Sequence, residues 1–180
     1  MDLRDKRTIF SVKKAFFDLL SKKDLRKITI DDICNQAMIG RSTFYNHFHD
    51  KYDFLERENQ KICEIINDAL RERFIFEDVE DIFTKLFNSI DAYSFMILIE
   101  IQEEGVNLKK DIYEILDTHF KKFAKEIYLE KKWNISIEFI KELFCSIALT
   151  FIESTIRTGK IEQNSKFINK IQKELFYLKL

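Results

Sequence analysis

The sequence predicts an all-α protein, on two observations. It contains no proline and only three glycines in 180 residues, so few residues would break a helix. Apolar residues recur at intervals of three and four along most of the chain, which is the spacing of one helix face. Eighteen phenylalanines predict an aromatic core, and the length allows one or two small domains.

The first fifty residues predict a three-helix domain. A first helix, from residue 4 to about 22, carries Ile9, Val12, Phe16 and Leu19 on one face. Residues 28–55 predict two short helices around a tight turn, with Thr29 and Asp32 as a capping-box-like start. Phe44 and Phe48, four residues apart, would anchor the second of these short helices in the core. The arrangement is that of a helix-turn-helix.

The second short helix would present polar groups to solvent. At about 100° per residue, Asn46 lies opposite the two phenylalanines, with Ser42 and Thr43 beside it and Tyr45 and His47 on the flanks. A recognition helix in the DNA major groove needs such a surface of hydrogen-bonding side chains.

These residues also carry a family resemblance. The order Thr29, Ile33, Ala37, Ile39, Thr43-Phe44-Tyr45, His47-Phe48 and Lys51 resembles the DNA-binding half of the TetR/AcrR transcriptional regulators. The resemblance implies a homodimeric repressor that a small-molecule effector releases from a palindromic operator. It implies base reading by Arg41, Ser42 and Asn46, and phosphate contacts by Thr29, Thr43, Tyr45, His47 and Lys51.

The turn departs from the family pattern at two positions. Met38 stands where the family usually has glycine, and Gly40 where it usually has a serine or threonine N-cap. A methionine is strained in the left-handed conformation that glycine adopts freely. The sequence therefore leaves open a turn that is shifted by one residue.

The remaining residues predict a long connecting helix and a helical bundle. A fourth helix begins at Asp50, Lys51 and Asp53 and runs to about residue 73. It joins a predicted DNA-binding domain (residues 1–50) to a predicted effector-binding and dimerisation domain (residues 51–180). Five more helices are predicted at 79–90, 92–102, 108–130, 137–158 and 165–178. Asn134 and Ser136 are candidate caps of the fourth of these, and Gly159 would end it.

Charge separates the two predicted domains. Residues 1–50 hold ten Lys/Arg against seven Asp/Glu, and residues 51–180 hold twenty against twenty-four. A basic domain on an acidic body is typical of a DNA-binding module with a separate sensing body.

The C-terminal domain holds two further candidate sites. A dimer interface is predicted from an apolar seam and a strip of small residues: Ile168, Ile171, Leu175, Leu178, Ser146, Thr150 and Ser154. The alternative is that these residues pack within one subunit. An aromatic effector pocket is predicted from Tyr93, Phe95, Met96, His119, Phe123, Trp133 and Phe144, with plain core as its alternative.

Other classes of function find no support in the sequence. It has no phosphate loop, nucleophile elbow or His-Glu-x-x-His motif, so neither an enzyme nor a cofactor is predicted. Cys34, Cys63 and Cys145 lack the spacing of a zinc site or disulfide framework. No signal peptide or membrane span is predicted, which favours a cytoplasmic protein. An activator, or a regulator that recruits a protein and binds no effector, would share the same DNA-contacting residues.

Overall fold

The computed structural model describes residues 2–73, 80–123 and 134–176, with side chains for 2–71, 82–121 and 134–171. These residues form nine α-helices: α1 (Leu3–Leu20), α2 (Ile30–Ala37), α3 (Arg41–Tyr45), α4 (Lys51–Arg73), α5 (Glu80–Ser89), α6 (Ala92–Leu98), α7 (Leu108–Phe123), α8 (Ile137–Thr158) and α9 (Ile161–Phe176). A short 3-10 helix (Leu25–Lys27) lies between α1 and α2. Within the described ranges there is no β-strand, only an isolated bridge between Glu103 and Val106. The all-α prediction is confirmed.

The chain divides into two compact units. The first unit comprises Met1–Asn59 with Glu103–Val106, and the second comprises Gln60–Gln102 with Asn107–Leu180. The division falls inside α4, after Asn59. The predicted domain boundary, before residue 51, stays a prediction.

The core of the first unit is built around one phenylalanine of α4. The ring of Phe54 lies 5.4 Å from that of Phe16, 6.2 Å from that of Phe17 and 5.1 Å from that of Phe48. All four side chains are buried. Phe16 and Phe17 come from α1, and Phe48 follows α3. This cluster therefore anchors residues 41–48, the recognition segment, to the rest of the unit.

The helix-turn-helix keeps its register through a strained residue. Met38 ends α2 with φ 56° and ψ 44°, in the left-handed region, and its side chain is 94% exposed. The turn is therefore not shifted: methionine itself adopts the conformation that glycine usually supplies. This conformation costs a residue with a Cβ about 1–2 kcal/mol.

We expect Met38→Gly to stabilise the protein by about 1 kcal/mol, because the strain exceeds the extra backbone entropy that glycine loses on folding. Urea unfolding followed by circular dichroism measures the change. Met38→Ala is the control, since it keeps the Cβ and should change little. A lower unfolding midpoint for Met38→Gly than for the unaltered protein would contradict the argument.

The second unit confirms most of the predicted helices and shifts some ends. α8 begins after Ser136, whose hydroxyl accepts a hydrogen bond from the Phe139 amide, and it ends at Gly159 with φ 67°, as predicted. α6 ends at Leu98, before the predicted residue 102, and α9 begins at Ile161, before the predicted residue 165. The predicted segment 124–130 of the third bundle helix lies outside the described residues.

The three cysteines are free thiols. Cys34 and Cys145 are buried and Cys63 is half-buried. Burial raises the pKa of Cys63 to about 12 and that of Cys145 to about 11, so both thiols are protonated and weakly nucleophilic at neutral pH. The described part of the chain contains no group of three or more side chains of the kinds that bind metal ions. None of its helices has the length and apolar character needed to cross a bilayer.

Candidate nucleic-acid interface

The recognition segment buries two rings and exposes its polar residues. Phe44 is fully buried and Phe48 nearly so, with their rings 5.5 Å apart. Arg41, Ser42 and Asn46, the three predicted base readers, are all exposed. The α-helical part is short, since α3 spans Arg41–Tyr45 and Asn46 is its C-cap. The segment therefore exposes all three side chains, including Arg41, which helical spacing alone placed nearer the buried side.

Arg41 is held by an acidic residue of the preceding helix. Its Nε lies 2.6 Å from Asp31 Oδ1, and both side chains are more than half exposed. The role of Asp31 could not be predicted from the sequence, because a contact across the turn between two helices leaves no periodic signal in the chain.

Thr29 is the N-cap of α2. Its hydroxyl accepts from the Asp32 amide at 3.1 Å and donates to Asp32 Oδ2 at 2.9 Å, while the Thr29 amide donates to the same carboxylate at 2.8 Å. The predicted capping box is therefore present. A phosphate would have to compete with Asp32 for the Thr29 hydroxyl, so a phosphate contact stays a prediction.

The capping carboxylate is strongly acidic. The Thr29 amide and then Lys23, whose Nζ is 2.9 Å away, lower the pKa of Asp32 from 3.8 to about 2. The stabilisation by this carboxylate is complete above the unfolded pKa of 3.8 and is lost as the pH falls through about 2.

The other predicted phosphate contacts differ in exposure. Tyr45 is 53% exposed, with its ring edge-on to Phe44, and Thr43 is half-buried. The His47 side chain is only 18% exposed, and its Nε2 lies 3.8 Å from Asp5 Oδ1 of α1. A phosphate at His47 would therefore lie close to a carboxylate.

Lys51 supports the backbone of the first unit. Its Nζ donates to the carbonyl oxygens of Leu25 and Ile28, both at 2.7 Å. Burial lowers the pKa of the Lys51 ammonium, and the nearby Asp24 and Asp50 charges oppose that effect. An ammonium has three protons, so one is left for a phosphate. Lys51 thus ties the 3-10 helix to the start of α4, a role that the sequence analysis did not foresee.

Arg57 is a second residue that the sequence analysis missed. Its guanidinium forms two bonds with the Asp53 carboxylate, at 2.8 and 3.0 Å, and a third with the His47 carbonyl oxygen at 3.0 Å. It also lies over the Phe48 ring at 5.4 Å. The i, i+4 spacing of Asp53 and Arg57 was a signal that could have found the pair. Arg57 secures the chain that follows α3.

The residues of the predicted effector pocket differ in how deeply they are buried. Phe95, His119 and Phe144 are buried, Met96 is half-buried and Tyr93 is 51% exposed. The His119 Nε2 is 2.8 Å from Asn67 Oδ1, which links α7 to α4 within the second unit. Trp133 and the side chain of Phe123 lie outside the described residues.

The predicted dimer residues separate into two groups. Ser146, Thr150 and Ser154 are exposed along α8, as a partner surface requires. Ile168 is 4% exposed and Ile171 half-buried, so Ile168 packs inside its own subunit, in the manner of the alternative stated above. Leu178 and the side chain of Leu175 lie outside the described residues. Helical spacing marks an apolar face but does not say which neighbour covers it.

Comparison with known proteins agrees with this geometry. Residues 14–57 match the family model for bacterial regulatory proteins of the tetR family. Over 139 residues the chain is 30% identical to an uncharacterized HTH-type transcriptional regulator, YxbF, of Bacillus subtilis (strain 168). The match covers 73% of this chain and 36% of that protein, so the chain spans about a third of the relative's length. Residues 14–57 therefore form a helix-turn-helix domain of the tetR family of bacterial regulatory proteins.

Proposed function

We propose that the protein is a homodimeric repressor that binds an inverted-repeat operator and leaves it when a small molecule binds the second unit. The observation that carries the proposal is the recognition segment, which exposes Arg41, Ser42 and Asn46 while Phe44 anchors it. Arginine can donate two bonds to guanine and asparagine can pair with adenine, so this surface suits base reading in the major groove. A bacterial protein that binds operators works in the cytoplasm.

The exposed face of α8 supports the homodimer. The small residues Ser146, Thr150 and Ser154 continue the line of Phe139 and Leu143, which are 54% and 42% exposed. Two large apolar side chains in the open, next to small residues that admit a close approach, suit a second helix of the same kind. A twofold axis would place the same strip of each subunit against the other.

The bond between His119 and Asn67 supports release by an effector. Asn67 lies on α4, the helix whose first turns belong to the first unit, and His119 lies on α7 among buried side chains. A ligand whose polar group replaced Asn67 at His119 would free part of α4 to move. Such a ligand lowers DNA affinity only if it binds the DNA-incompetent arrangement better. A compound that raised thermal stability yet left operator affinity unchanged would favour the protein-recruiting alternative.

The DNA-binding part of the proposal is tested by selection from random DNA. We expect enrichment of an inverted repeat whose half-sites lie about 34–36 Å apart, or a multiple of that distance, because a dimer presents two recognition helices by twofold symmetry. Arg41→Ala and Asn46→Ala should each relax the preference at particular bases, by about 1–3 kcal/mol of discrimination. Tyr45→Phe is the matched comparison, since it should weaken binding to all sequences alike. Enrichment without a palindrome would contradict the dimeric mode.

A further inference from the structure

We propose that Asp31 is a positioning residue that aims Arg41 at one base of each operator half-site. The inference rests on the proposed DNA-binding mode and goes beyond it, because it assigns sequence preference to a residue that need not touch DNA. Asp31 lies in the first turn of α2, and Arg41 is the first residue of α3. The two side chains meet across the turn of the helix-turn-helix.

The geometry of the pair leaves the reading end of the arginine available. The recorded contact joins Asp31 Oδ1 to Arg41 Nε, at 2.6 Å. Nε lies on the side of the guanidinium group, whereas a guanine is read by the two terminal amino groups, which donate to its O6 and N7. A carboxylate beside Nε therefore restrains the guanidinium on the side away from its two terminal amino groups.

Positioning matters at this arginine because little else restrains it. Its side chain is 63% exposed, and it stands at the end of a helix of only five residues. A long exposed arginine samples many rotamers, and it loses that freedom when it pairs with a base. When Nε is already held before binding, less of this freedom is lost. The affinity for the preferred base therefore rises more than the affinity for a base that offers no pair of acceptors.

The charge of Asp31 has a second effect on binding. Its side chain is 57% exposed on the surface that faces DNA in the proposed mode, so its carboxylate repels phosphates of any sequence. Asp31 should thus weaken binding to unrelated DNA while it strengthens discrimination. A residue with a purely structural role would instead change the thermal stability, and both affinities would fall together on its removal.

The experiment uses the full chain and the operator found by selection, with each base of one half-site varied in turn. We expect Asp31→Ala to reduce the preference at the base that Arg41→Ala affects, by about 5–10-fold, a part of the range for one bidentate pair. Affinity for unrelated DNA should rise, with a steeper dependence on salt. In the Arg41→Ala background, Asp31→Ala should cause no further loss of preference, because the residue it positions is gone.

Two controls keep the result interpretable. Glu56→Ala removes another exposed carboxylate of the first unit and should leave every base preference unchanged. Asp31→Asn keeps the shape and an acceptor oxygen, so it should retain part of the preference if Asp31→Ala proves unstable. Unchanged base preference in both Asp31 variants, or a fall of both affinities together with thermal stability, would overturn the proposal. If the unaltered protein showed no sequence preference, the proposed function itself would fail.

Discussion

Phe54→Ala is expected to destabilise the first unit by about 3–5 kcal/mol, the usual loss when a buried phenylalanine is reduced to alanine. The Phe54 ring is 1% exposed and contacts rings from α1 and from the segment after α3. Small domains have only about 5–15 kcal/mol of stability in total. The first unit would therefore melt about 12–40 °C lower, since 1 kcal/mol shifts the melting temperature of a small domain by about 4–8 °C.

Calorimetry measures the loss, and DNA binding should weaken as the recognition segment loses its support. Phe10→Ala is the matched control, because Phe10 lies on the same unit but is 68% exposed. It should change stability by less than about 0.5 kcal/mol, as for most surface substitutions. Phe54→Leu should fall between the two. If the melting temperature of the first unit fell by only a few degrees in Phe54→Ala, the ring cluster would not be what holds this unit together.

Leu143→Asp is expected to convert a dimer into a monomer and to weaken operator binding by about 100-fold or more. The substitution puts a charge next to Phe139 on the exposed face of α8 that is proposed as the dimer interface. Burial of this face against a partner would leave the charge unpaired. Two linked DNA-binding surfaces gain about 10²–10⁴ in affinity over one, and the monomer loses that gain. Because Leu143 is 42% exposed within the subunit, the fold itself should tolerate the change.

Light scattering at micromolar concentration separates the two states, since one chain has a mass of 21.7 kDa. Phe10→Asp places the same new charge at an exposed position of the first unit and should remain a dimer. Ile171→Asp, at a half-buried position of α9, should also yield monomers, because an unpaired charge in an apolar interface is costly. A monomer in the unaltered protein, or a dimer that survives Leu143→Asp, would place the interface elsewhere.

Local signals in the sequence were enough to predict most of the helices and the buried side of the recognition segment. Gly159 marked the end of α8, and Ser136 was one of two candidate caps at its start, because a side-chain cap and a left-handed glycine act within a few residues. Phe44 and Phe48 gave the buried side of the recognition segment, since helical spacing decides which side chains share a face.

Contacts between segments that are distant in the sequence could not be predicted from local signals. The pairs Asp31–Arg41 and Asp5–His47, and the carbonyl oxygens that hold Lys51, join segments whose proximity no periodic pattern encodes. Met38 shows a different limit. The sequence indicated strain or a shifted turn, and only the structure decided between them, because packing on both sides of the turn outweighs about 1–2 kcal/mol of backbone strain.

The tetrapeptide Glu103–Val106 matters when chimeras are made between this protein and a related one. It belongs to the first unit although its neighbours on both sides belong to the second, and Glu103 Oε1 lies 2.9 Å from Arg26 Nε. Val106 is 1% exposed and forms the isolated bridge with Glu103. The first unit is thus discontinuous in the sequence. A chimera joined at residue 60 would combine one protein's Arg26 with another protein's tetrapeptide, so a faithful graft has to transfer two separate stretches of coding sequence.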